Sequence, residues 1–116
     1  METKRTIIYV DQIIIDEIEK FTSEAISMPR GKVINIAISF LLQFDKKEIK
    51  KYISKAYKYI DYHKINIKEE YGEKRKNKKE TQLQCSPRVS EMFSKYHYKV
   101  VVIAALIFVG ILKDGD

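Results

Sequence analysis

The chain has no tryptophan, a single cysteine, two prolines, four glycines and two histidines among its 116 residues. Each scarcity removes a class of answer. One thiol, Cys85, excludes an intrachain disulfide framework and a cysteine-cluster zinc site, and it suits a reducing compartment, so a cytoplasmic location is expected. His63 and His97 stand far apart in sequence with no second ligand beside either, which argues against a metal centre and against histidine-based catalysis. There is no Gly-rich phosphate loop and no nucleophile elbow. The expectation is a protein that is not an enzyme and carries no cofactor. Few prolines and glycines favour regular structure, mostly helix, over long loops. The opening "METKRT" leads into no apolar core, so no signal peptide is expected.

What the chain does have is positive charge. Lys and Arg number 22 against 16 Asp and Glu, a formal net charge of +6. Such a balance suits a polyanionic partner, either nucleic acid or an anionic membrane surface. At this length the chain holds one domain, or two very small ones. The excess is concentrated in residues 45–79, which carry 13 Lys and Arg against 6 Asp and Glu. There Ile49, Ile53, Ala56 and Ile60 step by four, three and four, a narrow apolar stripe on one helix face. Lysines 46, 47, 50, 51, 55 and 58 cover much of the remainder. Those lysines read as a solvated face, and Tyr52, Tyr57, Tyr59 and Tyr62 as packing. "GEKRKNKK" ends the segment without an apolar residue, the composition of a mobile linker.

Residues 1–44 form a unit of different character. In "TKRTIIYVDQIIIDEIEKF", Thr6, Ile8 and Val10 alternate with Arg5, Ile7 and Tyr9, the period of a strand. From Asp11, a good N-cap, Ile14, Ile18 and Phe21 recur at helical spacing, and the helix runs to about Ala25. "ISMPRGK" breaks it, because Pro29 and Gly31 fit the first turn of a new helix better than an interior. The second helix, "GKVINIAISFLLQF", is apolar on nearly every side and should be almost completely surrounded. One strand alone cannot satisfy its backbone, so a partner strand is required.

Residues 80–116 offer one. Thr81, Leu83 and Cys85 alternate with Gln82 and Gln84, Ser86-Pro87 is a helix start, and Val89, Phe93 and Tyr96 follow at helical spacing. Setting Asp11 beside Ser86 aligns Val10 with Cys85, Ile14 with Val89, Ile18 with Phe93 and Phe21 with Tyr96, all at an offset of 75. This is the pattern of a diverged internal repeat. Beyond Tyr96 the apolar run starts too early for the same spacing. Either the second copy has lost most of its first helix and turn, or the likeness stops near Tyr96. The run from Val100 to Leu112 is 13 residues without a charge, against roughly 20 for a membrane span. A buried second helix is preferred, with a tail anchor or a partner-binding helix at residues 96–112 as the other readings.

Residues 4–42, with the pattern "RTIIYVD..I...I..F......PRGKVINIAISFLL", resemble the ribbon-helix-helix family of DNA-binding proteins, the group of the Arc and methionine repressors. The resemblance rests on the order strand, helix, turn, helix and covers about a third of the chain. It implies a mainly α fold with a short antiparallel β-ribbon, here with two diverged copies in one chain, and a ribbon that lies in the DNA major groove. On that footing Thr6, Ile8 and Val10 face the core while Arg5, Ile7 and Tyr9 face the bases, with Glu80, Gln82 and Gln84 outward on the second strand. Arg5 would fork onto guanine, Ile7 pack on a thymine methyl, and Gln82 and Gln84 read adenine. Glu80 would repel phosphate unless it met a cytosine amino group. The family anchors phosphates at the N-terminus of its second helix, which here falls on "PRGK". Backbone N–H groups of Arg30, Gly31 and Lys32 would serve, together with charge from Lys4, Arg30 and Lys32. Pro29 stands where the family often has a Ser or Thr cap.

The resemblance implies sequence-specific binding of double-stranded DNA, by an intrachain pseudo-dimer or a homodimer, with repression by promoter occupancy as the ordinary role. Other readings stay open. The chain could be an antitoxin with its toxin at residues 96–112, or a plasmid transfer or partition factor. It could also be a protein-interaction module without DNA binding, which apolar Ile7 and Tyr9 would permit.

Overall fold

The alternation in both candidate strands becomes a single two-stranded antiparallel ribbon. In the computed structural model, which describes residues 4–24, 29–65, 67 and 78–113, β1 (Lys4–Asp11) pairs with β2 (Lys78–Cys85) within the chain. The register sets Arg5 opposite Gln84, Ile7 opposite Gln82 and Tyr9 opposite Glu80. Side chains alternate across a strand, so one face of the ribbon is sunk: Ile8, Val10, Thr81, Leu83 and Cys85 are buried. The partner strand that β1 requires is thus supplied within the chain. The strand β2 also begins two residues before the expected Glu80. Gly72 to Asn77, most of the expected mobile linker, lies outside the described residues.

Each strand runs into two helices. After β1 come α1 (Gln12–Glu24) and α2 (Arg30–Leu41); after β2 come α4 (Pro87–Lys95) and α5 (Tyr98–Phe108), with α3 (Lys46–Tyr62) between the two sets. The order strand, helix, helix therefore occurs twice. In the second occurrence the first helix and the link after it are shorter, as far as the apolar run's early start requires, and a second helix follows. That first helix has 9 residues against 13, and only Tyr96 and His97 separate it from the next. Ser86 caps α4 by accepting from Val89 N–H at 3.3 Å, with Pro87 at the first helical position. Pro29 occupies the N-cap of α2 and offers no side-chain bond there.

The core gathers around α5. Every residue from Lys99 to Ile107 is buried, with α2 packed on one side and α3 on another. Each fully enclosed aliphatic side chain there contributes about 1.5–3 kcal/mol. Most of the apolar run is therefore a buried helix, as preferred, with the helix ending at Phe108. No described helix is long and apolar enough to cross a membrane. Ile53, Ala56, Tyr59 and Ile60 of α3 are buried, and Ile49 and Tyr52 pack at the edge of the same core. Phe108 at the end of α5 meets Phe44 and Tyr52 edge-on, at 5.0 and 5.1 Å between centroids. Tyr57 and Tyr62 are exposed, so only two of the four tyrosines pack. Lysines 46, 47, 50, 51 and 58 are exposed and Lys55 half-buried, as a solvated face requires.

One expectation about α2 is corrected. It buries Val33, Ile34, Ala37, Ile38 and Leu41, but Ile36 and Phe40 are exposed. The fully surrounded helix is α5, because α3 covers α5 and not α2.

Candidate nucleic-acid interface

The ribbon's outer face collects the residues that alternation assigned to it. Arg5, Ile7, Gln82 and Gln84 are exposed and Tyr9 is half-buried. The register arranges them as three rungs: Arg5 with Gln84, Ile7 with Gln82, and Tyr9 with Glu80. The outcome is a narrow strip with a guanidinium at one end, a half-exposed isoleucine in the middle and a phenol at the other end. It can donate and accept hydrogen bonds at its ends and on the β2 side, and it offers apolar contact at its centre. The side chains of Lys4 and Glu80 lie outside the described ones.

The N-terminus of α2 stands beside β2. Arg30 donates from Nε to Thr81 Oγ1 at 3.0 Å, and Asn35 donates from Nδ2 to the Gln84 carbonyl at 3.0 Å. Gly31 lies so near the ribbon that a methyl there would collide with the Gln82 carbonyl oxygen. Glycine is thus needed for close approach of helix to strand. Pro29, Arg30, Gly31, Lys32, Thr81 and Gln82 line a shallow concavity of about 380 Å³. Lys32 is exposed at its rim and Arg30 is half-buried. The expected phosphate residues Arg30, Gly31 and Lys32 are therefore together, next to Gln82.

The N-terminus of α5 stands beside β1 and is built otherwise. Lys99 is buried, and its Nζ lies 3.2 Å from Asp11 Oδ1. Asp11 was expected to cap α1; its carboxylate turns instead to this lysine. His97 accepts from Lys99 N–H at Nδ1, 3.1 Å away, and so caps α5. Burial, then the Lys99 charge, lowers the His97 pKa from its usual 6.5. Burial raises the Tyr98 pKa.

Thr81, Asn35, Lys99 and His97 all fix this geometry, and sequence reasoning assigned none of them a role. Asn35 left a trace, as a polar residue inside the apolar run "VINIAIS". Lys99 left none, since a lysine flanking an apolar run reads as a surface boundary.

No family model, no curated protein and no solved structure matches the chain.

Proposed function

We propose that this chain is a single-chain ribbon-helix-helix protein that binds double-stranded DNA by its β-ribbon in the major groove and represses transcription by occupying its site. One observation carries the reading. The residues at the centre of the ribbon, Ile7 and Gln82, face each other, and they are 75 positions apart. That is the offset of the internal repeat found from the apolar pattern alone. Two copies related by a twofold axis must pair a residue with its own equivalent at the axis, so repeat and register agree. The strip of Arg5, Ile7, Tyr9, Gln82 and Gln84 supplies base contacts. The cationic concavity around Arg30, Gly31 and Lys32 supplies a phosphate contact.

The two halves of the ribbon differ: Arg5, Ile7 and Tyr9 correspond to Glu80, Gln82 and Gln84. A site read by such a ribbon is not a palindrome. Selection from a random-sequence duplex pool, followed by sequencing of the bound fraction, tests this. The proposal expects enrichment of one short asymmetric motif. A pool that stays random after several rounds would remove the sequence-specific reading.

A further inference from the structure

Two surfaces outside the strip of Arg5, Ile7, Tyr9, Gln82 and Gln84 carry opposite charge, and each includes apolar residues. On α1, Ile13, Asp16, Glu17, Lys20 and Phe21 follow one another at steps that keep them on one helix face. Ile13 is 39% and Phe21 38% exposed, Asp16 is exposed and Glu17 half-buried. The helix as a whole holds Asp16, Glu17, Glu19 and Glu24 against Lys20 alone. The second surface is a groove of about 570 Å³ between the start of α3 and α4. Leu42, Phe44, Ile49 and Met92 form its apolar lining, with Lys46 and Lys50 on its wall. Other charges in the groove are engaged within the chain. Arg88 donates to the Leu42 carbonyl, Lys95 pairs with Glu91 at 3.3 Å, and Asp45 accepts from Glu48 N–H. Lys46 and Lys50 are exposed and make no ion pair among the described residues.

We infer that these are the two halves of one interface between copies of this chain. The α1 ridge of one copy seats in the α3–α4 groove of the next. Ile13 and Phe21 cover Phe44 and Ile49, while Asp16 and Glu17 meet Lys46 and Lys50. In this head-to-tail contact each copy uses its ridge on one neighbour and its groove on another, which leaves a free ridge at one end and a free groove at the other. Patches this small belong to the weak class of interface, under about 1,200 Å² in total. Association is therefore reversible and needs high local concentration. A consequence rests on the DNA-binding reading. The molecule spans 34 × 34 × 33 Å in its Cα atoms, close to one turn of DNA at about 34–36 Å. Copies in contact would then meet neighbouring sites on one face of the duplex, at the concentration the contact requires.

The test uses the full chain without DNA, so its result is separate from the ribbon's ligand. The net charge of +6 opposes association at low salt, so the measurement belongs near ~0.15 M salt, where the Debye length is about 8 Å. Sedimentation equilibrium over a wide concentration range should give a mass rising continuously from the 13.7 kDa of one chain. Lys46→Glu with Lys50→Glu should hold the mass at one chain, and so should Asp16→Lys with Glu17→Lys. An equimolar mixture of the two double variants should associate again, because each reversed patch then faces a complementary one. Circular dichroism melts of both variants establish that they are folded. A wild-type mass that stays at one chain overturns the inference, as does one that stops at two. Failure of the mixture to recover overturns it too, and then points to a different occupant of the groove.

Discussion

The helices α2 and α5 are both strongly apolar and each is the second helix after its strand, yet they end in opposite situations. Leu106, in the last turn of α5, is fully enclosed, whereas Phe40 on α2 is half exposed. The cause lies outside either helix: α3 packs along α5 and leaves α2 with one covered face. Their first turns diverge in the same sense. At α2 a glycine and an exposed lysine border an open concavity; at α5 a lysine is sunk against Asp11 and a histidine closes the helix end. The open helix start lies in the first strand-helix-helix unit and the closed one in the second, although both units contribute to the core. The comparison shows that apolar content says which helices must be buried somewhere, and the neighbours decide on how many sides.

Mutations can break that contrast, beginning with the largest effect. Leu106→Ala should cost about 3–4 kcal/mol in denaturant unfolding, as truncation of an enclosed leucine does. Phe40→Ala should cost under about 1 kcal/mol, as at an exposed position. Equal losses would mean that the two helices are equally enclosed. Lys99→Met should cost about 3 kcal/mol, because it strands the Asp11 carboxylate. Adding Asp11→Asn to it should restore much of the loss, since nothing charged is then left unpaired. Lys32→Met, at the open end of α2, should leave stability within about 0.5 kcal/mol.

Gly31→Ala tests the other helix end. A methyl there must push α2 away from the Gln82 carbonyl, at a cost of about 1–3 kcal/mol. Backbone amide exchange at β2 should rise with it. The smallest effect concerns His97. Its folded pKa lies below its usual 6.5, so the unfolded chain binds the proton more readily in that interval. Stability is then full above pH 6.5 and declines as pH falls from 6.5 toward the folded value. His97→Asn keeps a capping oxygen without a titrating group, so that decline should vanish from its melting temperature.

Much of this fold was readable before any coordinates. Strand alternation separated Ile8 and Val10 from Arg5 and Ile7 correctly, because period two leaves no choice once one face is buried. Ser86-Pro87 and the stripe of Ile53, Ala56 and Ile60 were equally plain, each resting on a local rule. What escaped were relations between distant residues. Nothing near Lys99 in sequence marks Asp11 as its partner, 88 positions away. Gly31 drew attention as a helix-start glycine, but the reason for it is a carbonyl of the opposite strand. The likeness of the second unit was hidden beyond Tyr96 because its two helices start 11 residues apart against 18 in the first, which takes the later apolar positions off the offset of 75. In the candidate interface the strip itself was legible, while Thr81 and Asn35, which fix α2 against β2, act through bonds between elements that no spacing reveals.

The central claim is that the outer face of the ribbon reads DNA bases, and the most direct measurement is fluorescence anisotropy. Wild type, Arg5→Ala and Tyr9→Ala would be titrated with the duplex upstream of the protein's own coding sequence and with a scrambled duplex, over a salt series. The account predicts that wild type prefers the upstream duplex. Both variants should lose that preference while melting at the wild-type temperature, and residual binding should weaken steeply with salt. Three proteins that bind both duplexes alike, weakly and only at low salt, would contradict it and leave the lysines as a general polycation.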